Sequence, residues 1–165
     1  MIAAQHGFAY FDEKTQQLTM IHDPEPHLPE NRFNDGKRDP AGRFWAGTMD
    51  DNFTEPCGAL YRLDADLGFS VQETDVVISN STAFSPDGGT LYYCDTPKNE
   101  IWAYDLDIES GNISNKRVFV STKHLVGEPH GSTVDAEGYL WNAMWGGACL
   151  VRWAPDGSFD RKIEL

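Results

Sequence analysis

Three polar segments of this chain carry side chains able to bind a ligand or a metal ion. They are Arg32-Phe33-Asn34-Asp35-Gly36, Ile78-Ser79-Asn80-Ser81-Thr82-Ala83-Phe84 and Gly127-Glu128-Pro129-His130-Gly131-Ser132. Each sets one candidate group, Asn34, Asn80 or His130, a few residues ahead of an aromatic run. Amide oxygens of Asn suit hard cations such as Ca²⁺, Mg²⁺ or Mn²⁺, and imidazole nitrogen suits Zn²⁺ or Fe²⁺. Taken singly, an Asn in such a place is a turn residue bonding to backbone, His130 a loop side chain and Arg32 a surface cation. Asp105-Leu-Asp-Ile-Glu-Ser-Gly111 has the acids of a calcium loop, but its Gly is displaced and the terminal Glu is absent, so it reads as a turn. There is no Gly-x-Ser-x-Gly elbow, no His-Glu-x-x-His and no phosphate loop.

What lifts the three segments above chance is their recurrence. Each precedes a turn followed by an aromatic strand: Asp39-Pro-Ala-Gly-Arg-Phe-Trp-Ala-Gly47, Ser85-Pro-Asp-Gly-Gly-Thr-Leu-Tyr-Tyr-Cys94 and Asp135-Ala-Glu-Gly-Tyr-Leu-Trp-Asn-Ala143. A second kind of strand follows each of these: Gly58-Ala-Leu-Tyr-Arg-Leu-Asp64, Glu100-Ile-Trp-Ala-Tyr-Asp-Leu-Asp107 and Ala148-Cys-Leu-Val-Arg-Trp-Ala-Pro-Asp156, with Gly7-Phe-Ala-Tyr-Phe-Asp12 as an earlier copy. A third strand lies between copies, as at Val71 to Ile78 and Lys116 to Ser121. Helical periodicity is hard to find. Short strands at a period of roughly 46–50 residues predict an all-β chain, a β-propeller, with wide aromatic side chains between its blades. The 165 residues make about three to four blades. The expectation is one incomplete propeller domain over 1–165, because closed propellers have roughly four to eight blades. In a propeller, equivalent positions of successive blades surround one axis, so Asn34, Asn80 and His130 are expected around a shared channel.

Bulk properties narrow the partners. Twenty-six acidic residues against 13 Lys plus Arg give a formal net charge of -13. That argues against nucleic acid or an anionic membrane, which need a basic footprint. It tolerates a cation or a neutral small molecule. No apolar run approaches the roughly 20 residues of a membrane helix. Met1 to His6 show no export signal. The odd, scattered cysteines Cys57, Cys94 and Cys149 predict reduced thiols and a cytoplasmic setting. An open arc of blades leaves bare sheet edges, which predict self-association.

The same residues carry a family resemblance. Arg32-Phe-Asn-Asp-Gly-Lys37 with Asp39 to Met49, Ile78-Ser-Asn80 with Ala83 to Gly88 and Leu91 to Thr96, Gly111 to Arg117, and Pro129-x-Gly131-Ser132 with Val134 to Gly147 closely resemble the gluconolactonase/regucalcin (senescence marker protein) family. The resemblance implies a six-bladed propeller holding one divalent metal (Ca, Zn, Mn, Mg or Fe(II)). The implied activity is hydrolysis of sugar lactones such as gluconolactone, by an ion that polarises the carbonyl and a carboxylate that helps deprotonate water. The alternative is a non-catalytic metal-binding, ligand-binding or interaction fragment. The family's metal ligands are a Glu on the first blade, the Asn of Ser-Asn-Gly and the Asp of Pro-Asp-Gly. Carried over, the metal residues here are Asn80 and His130, with His130 in the Asp position and also the catalytic candidate. Arg32 and Asn34 match the substrate-binding pair. The match covers the middle of the family's length, so the first-blade Glu and the closing blades have no counterpart. The Gly after the family's Asn is Ser81. If that position has positive φ, Ser81 costs on the order of 1 kcal/mol. The resemblance leaves Asp35-Gly36 as loop and Lys37-Arg38 as solvent-facing charge.

Overall fold

Each turn-and-aromatic stretch builds the second strand of a four-stranded antiparallel sheet. In a computed structural model describing residues 1–165, β1 (Ile2–Ala4), β2 (Gly7–Asp12) and β3 (Gln17–His22) form a three-stranded sheet. The first full blade is β4 (Asn31–Arg38), β5 (Phe44–Asp50), β6 (Gly58–Leu63) and β7 (Phe69–Val76). The second is β8 (Ser79–Phe84), β9 (Thr90–Asp95), β10 (Glu100–Leu106) and β11 (Ile113–Ser121). The third is β12 (Glu128–Val134), β13 (Leu140–Trp145), β14 (Cys149–Trp153) and β15 (Phe159–Glu164). Strands run in sequence order across every sheet. The chain is thus an arc of three full blades and one partial blade, an all-β propeller architecture as expected. Since Gly7 to Asp12 repeats the sequence type of Gly58 to Asp64, β1–β3 correspond to the second, third and fourth strands of a blade.

The turns are fixed by carboxylates. Asp39 accepts bonds from Arg43 N (2.9 Å), Arg43 Nε (2.6 Å) and Trp45 Nε1 (3.0 Å). Asp135 repeats the pattern with Tyr139 N and Trp141 Nε1, each at 3.0 Å. Glycines end these turns at left-handed φ, +99° at Gly42 and +85° at Gly138, where a side chain would be strained. Strand β5 and its counterpart β9 in the second blade are buried on both faces. Along β9, Leu91 and Tyr93 pack with Trp45 and Trp102 of one inter-blade core, while Tyr92 and Cys94 pack with Ile101, Leu140 and Val151 of the next. One-residue alternation therefore serves two cores at once. A third core joins Phe8 to Phe33, Ala46 and Tyr61. The end sheets each keep an open apolar side, with Phe11, Leu18 and Met20 on one and Trp141, Leu150 and Ile163 on the other.

Two expectations are corrected. The segments around Asn34, Asn80 and His130 are the innermost strands β4, β8 and β12 themselves, not loops ahead of strands. Asp35 and Gly36 accordingly lie within β4, and the Asp35 carboxylate accepts a bond from Thr82 N at 2.8 Å. Lys37 is half-buried and donates to Ser132 O at 2.9 Å, so it spans from the first blade to the third. Burial holds its amine below the ordinary lysine range. Arg38 does face solvent.

The first and second blades are in close contact where Gly47 of β5 meets Ser79 of β8. A Cβ on Gly47 would fall 2.5 Å from Ser79 Cβ. Gly47→Ala is therefore expected to destabilise the fold by about 1–3 kcal/mol through overpacking. Urea denaturation measures it, and an unchanged midpoint would show that the blades move apart freely.

Candidate functional site

A shared irregularity aims the inner-strand side chains. Across β4–β5 the register jumps between Phe33 and Asp35, leaving Asn34 unpaired. In β8–β9 it jumps between Asn80 and Ala83, and in β12–β13 between Pro129 and Ser132. Each inner strand carries one residue more than its partner, so each has a β-bulge at the same level of the channel. A bulge rotates the local side chain out of the pleat. Asn34 and His130 lie within their bulges, Asn80 is the paired residue just before the bulge of β8, and Arg32 sits two residues before Asn34.

Arg32, Asn34 and His130 meet on a cavity of about 470 Å³ at that level. Its other polar walls are Thr96 and Glu128, and its apolar walls are Met49, Ile78, Phe53 and Trp145. Arg32 is braced before any ligand arrives. Its Nε donates to Asp51 Oδ1 at 2.6 Å, and its Nη1 to Asn34 Oδ1 at 3.1 Å and Phe33 O at 3.2 Å. Nη2 makes no bond within the chain, so its two N–H groups remain for a ligand. Asn34 Nδ2 donates to Ser79 O at 2.9 Å. Asn34 thus ties the first blade to the second and orients Arg32, with one N–H and one lone pair to spare. The His130 ring lies near-parallel to Trp145, with centroids 5.6 Å apart and planes at 29°.

Asn80 is placed differently. It is buried behind the cavity wall, and its Nδ2 donates to Thr96 Oγ1 at 2.9 Å. Thr96 in turn donates to Pro129 O at 3.0 Å. No hydrogen bond in the chain uses Asn80 Oδ1. The chain's candidate donors for a cation are therefore this amide oxygen and the His130 imidazole. Nowhere do three His, Cys, Asp or Glu side chains gather in a group that could hold a metal. Two neutral donors suit part of a divalent coordination sphere and do not complete one.

Ser81 is the node between the second and third blades. It is fully buried with φ +61°, the left-handed backbone that the family's glycine implies. Its Oγ donates to His130 O at 2.5 Å and accepts from Ser132 Oγ at 3.0 Å and Asn142 Nδ2 at 3.2 Å. The hydroxyl fixes the carbonyl of the very residue whose imidazole lines the cavity. The buried Cys94 thiol nearby is pushed up to about 12 by desolvation, so it stays protonated and unreactive.

Several wall residues escaped the sequence reasoning: Asp51, Phe53, Thr96, Glu128 and Trp145. A signal for some was present. Thr96 and Trp145 both stand at the far end of the turn-and-aromatic strand in their repeats, where that strand reaches the level of the bulges.

Comparison with known proteins agrees with the propeller fold. The family model described as SMP-30/Gluconolactonase/LRE-like region matches residues 1–165. An L-arabinolactonase of Azospirillum brasilense is 41% identical over 160 residues, covering 95% of this chain and 53% of the relative. A 6-deoxy-6-sulfogluconolactonase of Pseudomonas putida is 34% identical, covering 100% and 57%. The crystal structure of a calcium-binding regucalcin from Agrobacterium tumefaciens superposes with a TM-score of 0.94 at 36% identity, covering 99% of this chain and 56% of that one. The chain spans about half the length of the relatives it matches.

The Ser81 node yields a comparison of two variants. Ser81→Ala and Ser81→Gly lose the same hydroxyl bonds, but only Gly relieves the left-handed φ. Ser81→Gly is expected to be more stable than Ser81→Ala by about 1 kcal/mol. Equal denaturation midpoints would show that the backbone at Ser81 is unstrained.

Proposed function

The chain belongs to the SMP-30/gluconolactonase/LRE-like family, and we propose that its channel-mouth cavity binds and hydrolyses sugar lactones. The observation that carries this is the convergence of Arg32 and His130, from two different blades, on one cavity. The lactonase relatives act on sugar lactones by name, which supports the same substrate class here.

The chemistry follows from the groups in place. Water adds to the lactone carbonyl carbon, and the ring C–O bond then breaks to leave an open-chain acid. Arg32 Nη2 donates to the carbonyl oxygen as negative charge develops on it. That orientation is set beforehand by Asp51 and Asn34, so little reorganisation is needed. His130 takes the proton from the attacking water and returns it to the departing ring oxygen. Neither imidazole nitrogen is bonded within the chain, which leaves both for this exchange. Asn34 spares one N–H for a sugar hydroxyl. A divalent ion, where bound, supplies Lewis-acid polarisation of the carbonyl. Asn80 would give it one ligand, and His130 would give a second only at the expense of its role as base, since a ring nitrogen on the ion leaves the other carrying a proton; the remaining ligands would come from outside these residues.

The test is hydrolysis of glucono-1,5-lactone followed by acid release, with and without added Ca²⁺, Zn²⁺ or Mn²⁺. A rate above the spontaneous one is expected, raised by at least one of the ions. Arg32→Ala and His130→Ala should each lower kcat/KM on the order of 10²-fold with the fold intact. Folded protein that gives only the spontaneous rate under every condition would overturn the proposal.

A further inference from the structure

Trp145 is 69% exposed, whereas the other tryptophans are buried or half-buried. Phe53 is 56% exposed. One exposed aromatic is ordinary. Two on the rim of a single polar-floored cavity have the composition of a small-molecule site.

Both are held in place by the fold. Phe53 has φ +61°, a conformation that costs a non-glycine residue on the order of 1 kcal/mol. The buried carboxylate of Asp50 sustains it by accepting Asn52 N at 3.1 Å, Thr54 N at 3.2 Å and Glu55 N at 3.4 Å. Phe53 N itself donates to Asp50 O at 3.0 Å. These backbone bonds pull the Asp50 carboxyl down to about 2, so the knot stays ionised and tied at any pH well above that. Trp145 is backed by the His130 ring. The chain turns sharply after it, where a Cβ on Gly147 would lie 2.3 Å from Val126 O. Strain kept at a cavity rim is a mark of preorganisation.

Two aromatic side chains lining one cavity with Arg32, Asn34 and His130 fit a ligand with one flat C–H face and one polar edge. A ring-closed sugar has both. Its open-chain acid has lost the flat face and carries a carboxylate, which meets the carboxylates of Glu128 in the cavity and Asp51 beside Arg32. We propose that Phe53 and Trp145 are aromatic jaws that select the ring-closed, uncharged lactone over the open-chain acid that hydrolysis releases. This rests on the lactone reading of the same cavity and adds its specificity determinant and its route to product release.

Calorimetric titration with glucono-1,5-lactam, a ring-closed amide that resists hydrolysis, and with sodium gluconate tests it. The wild-type chain should bind the lactam at least about tenfold more tightly than gluconate. Phe53→Ala and Trp145→Ala should each weaken lactam binding about fivefold or more, and Trp145→Phe should stay within about threefold of wild type. Melting temperatures check that the variants are folded. Gluconate binding as tight as lactam binding, no lactam binding at all, or full lactam affinity in Trp145→Ala would each overturn the jaws. Aromatic-dependent lactam binding in a chain that hydrolyses no lactone would uphold the jaws and sink the hydrolytic reading alone. Lactone hydrolysis with unchanged KM in both alanine variants would sink the jaws alone.

Discussion

Neighbouring inner strands of this arc cannot pair as a ladder, because each belongs to a different sheet and they splay around the channel. The only isolated backbone bridge, Met49 with Ile78, joins β5 to the residue just before β8 at one point. The hydrogen bonds that join β4, β8, β12 and the neighbouring Thr96 across blades are made by side chains, most of them reaching a neighbour's backbone: Asn34 to Ser79 O, Asp35 to Thr82 N, Ser81 to His130 O, Thr96 to Pro129 O and Lys37 to Ser132 O. Buried backbone groups demand partners. These bonds therefore fix the relative height and rotation of three blades. The bulges are what turn the side chains sideways to make them.

The cavity depends on that lattice. Arg32 points where it does because Asn34 holds it and Ser79 holds Asn34. His130 stands opposite because Ser81 holds its carbonyl. Ser81 takes a left-handed backbone, yet its hydroxyl makes three bonds that a glycine could not. Glu128 lines the cavity with His130, but no three His, Cys, Asp or Glu side chains gather there in a group that could hold a metal. The proposed hydrolysis rests on how far Arg32 and His130 can act together.

The sequence showed the blades clearly because the middle strands of the blades obey two-sided burial. Stretches such as Leu91-Tyr-Tyr-Cys94 and Ile101-Trp-Ala-Tyr104 are apolar throughout, and the turns before them are punctuated by Asp and Gly. The inner strands were read as loops for a physical reason. They face a channel and each other's backbone, so Asn31-Arg-Phe-Asn-Asp-Gly-Lys37 needs no apolar alternation to be a strand. The period of the repeat still located Asn34, Asn80 and His130 at one level. It could not show that Asn80 turns to Thr96 behind the wall, since one rotamer decides that. Nor did it reveal Phe53 or Trp145, whose places follow from the Asp50 knot and the Gly146-Gly147 turn.

The central claim is that groups from different blades address one ligand. NMR of the histidine imidazoles, assigned by substitution of His130 among the five histidines, reads this directly as a ring-closed sugar lactam is added. The account predicts saturable shifts of the His130 signals in the wild-type chain that vanish in Arg32→Ala while the remaining histidines stay still. His130 signals that do not move, or that move equally in Arg32→Ala, would show that the two blades do not share a site.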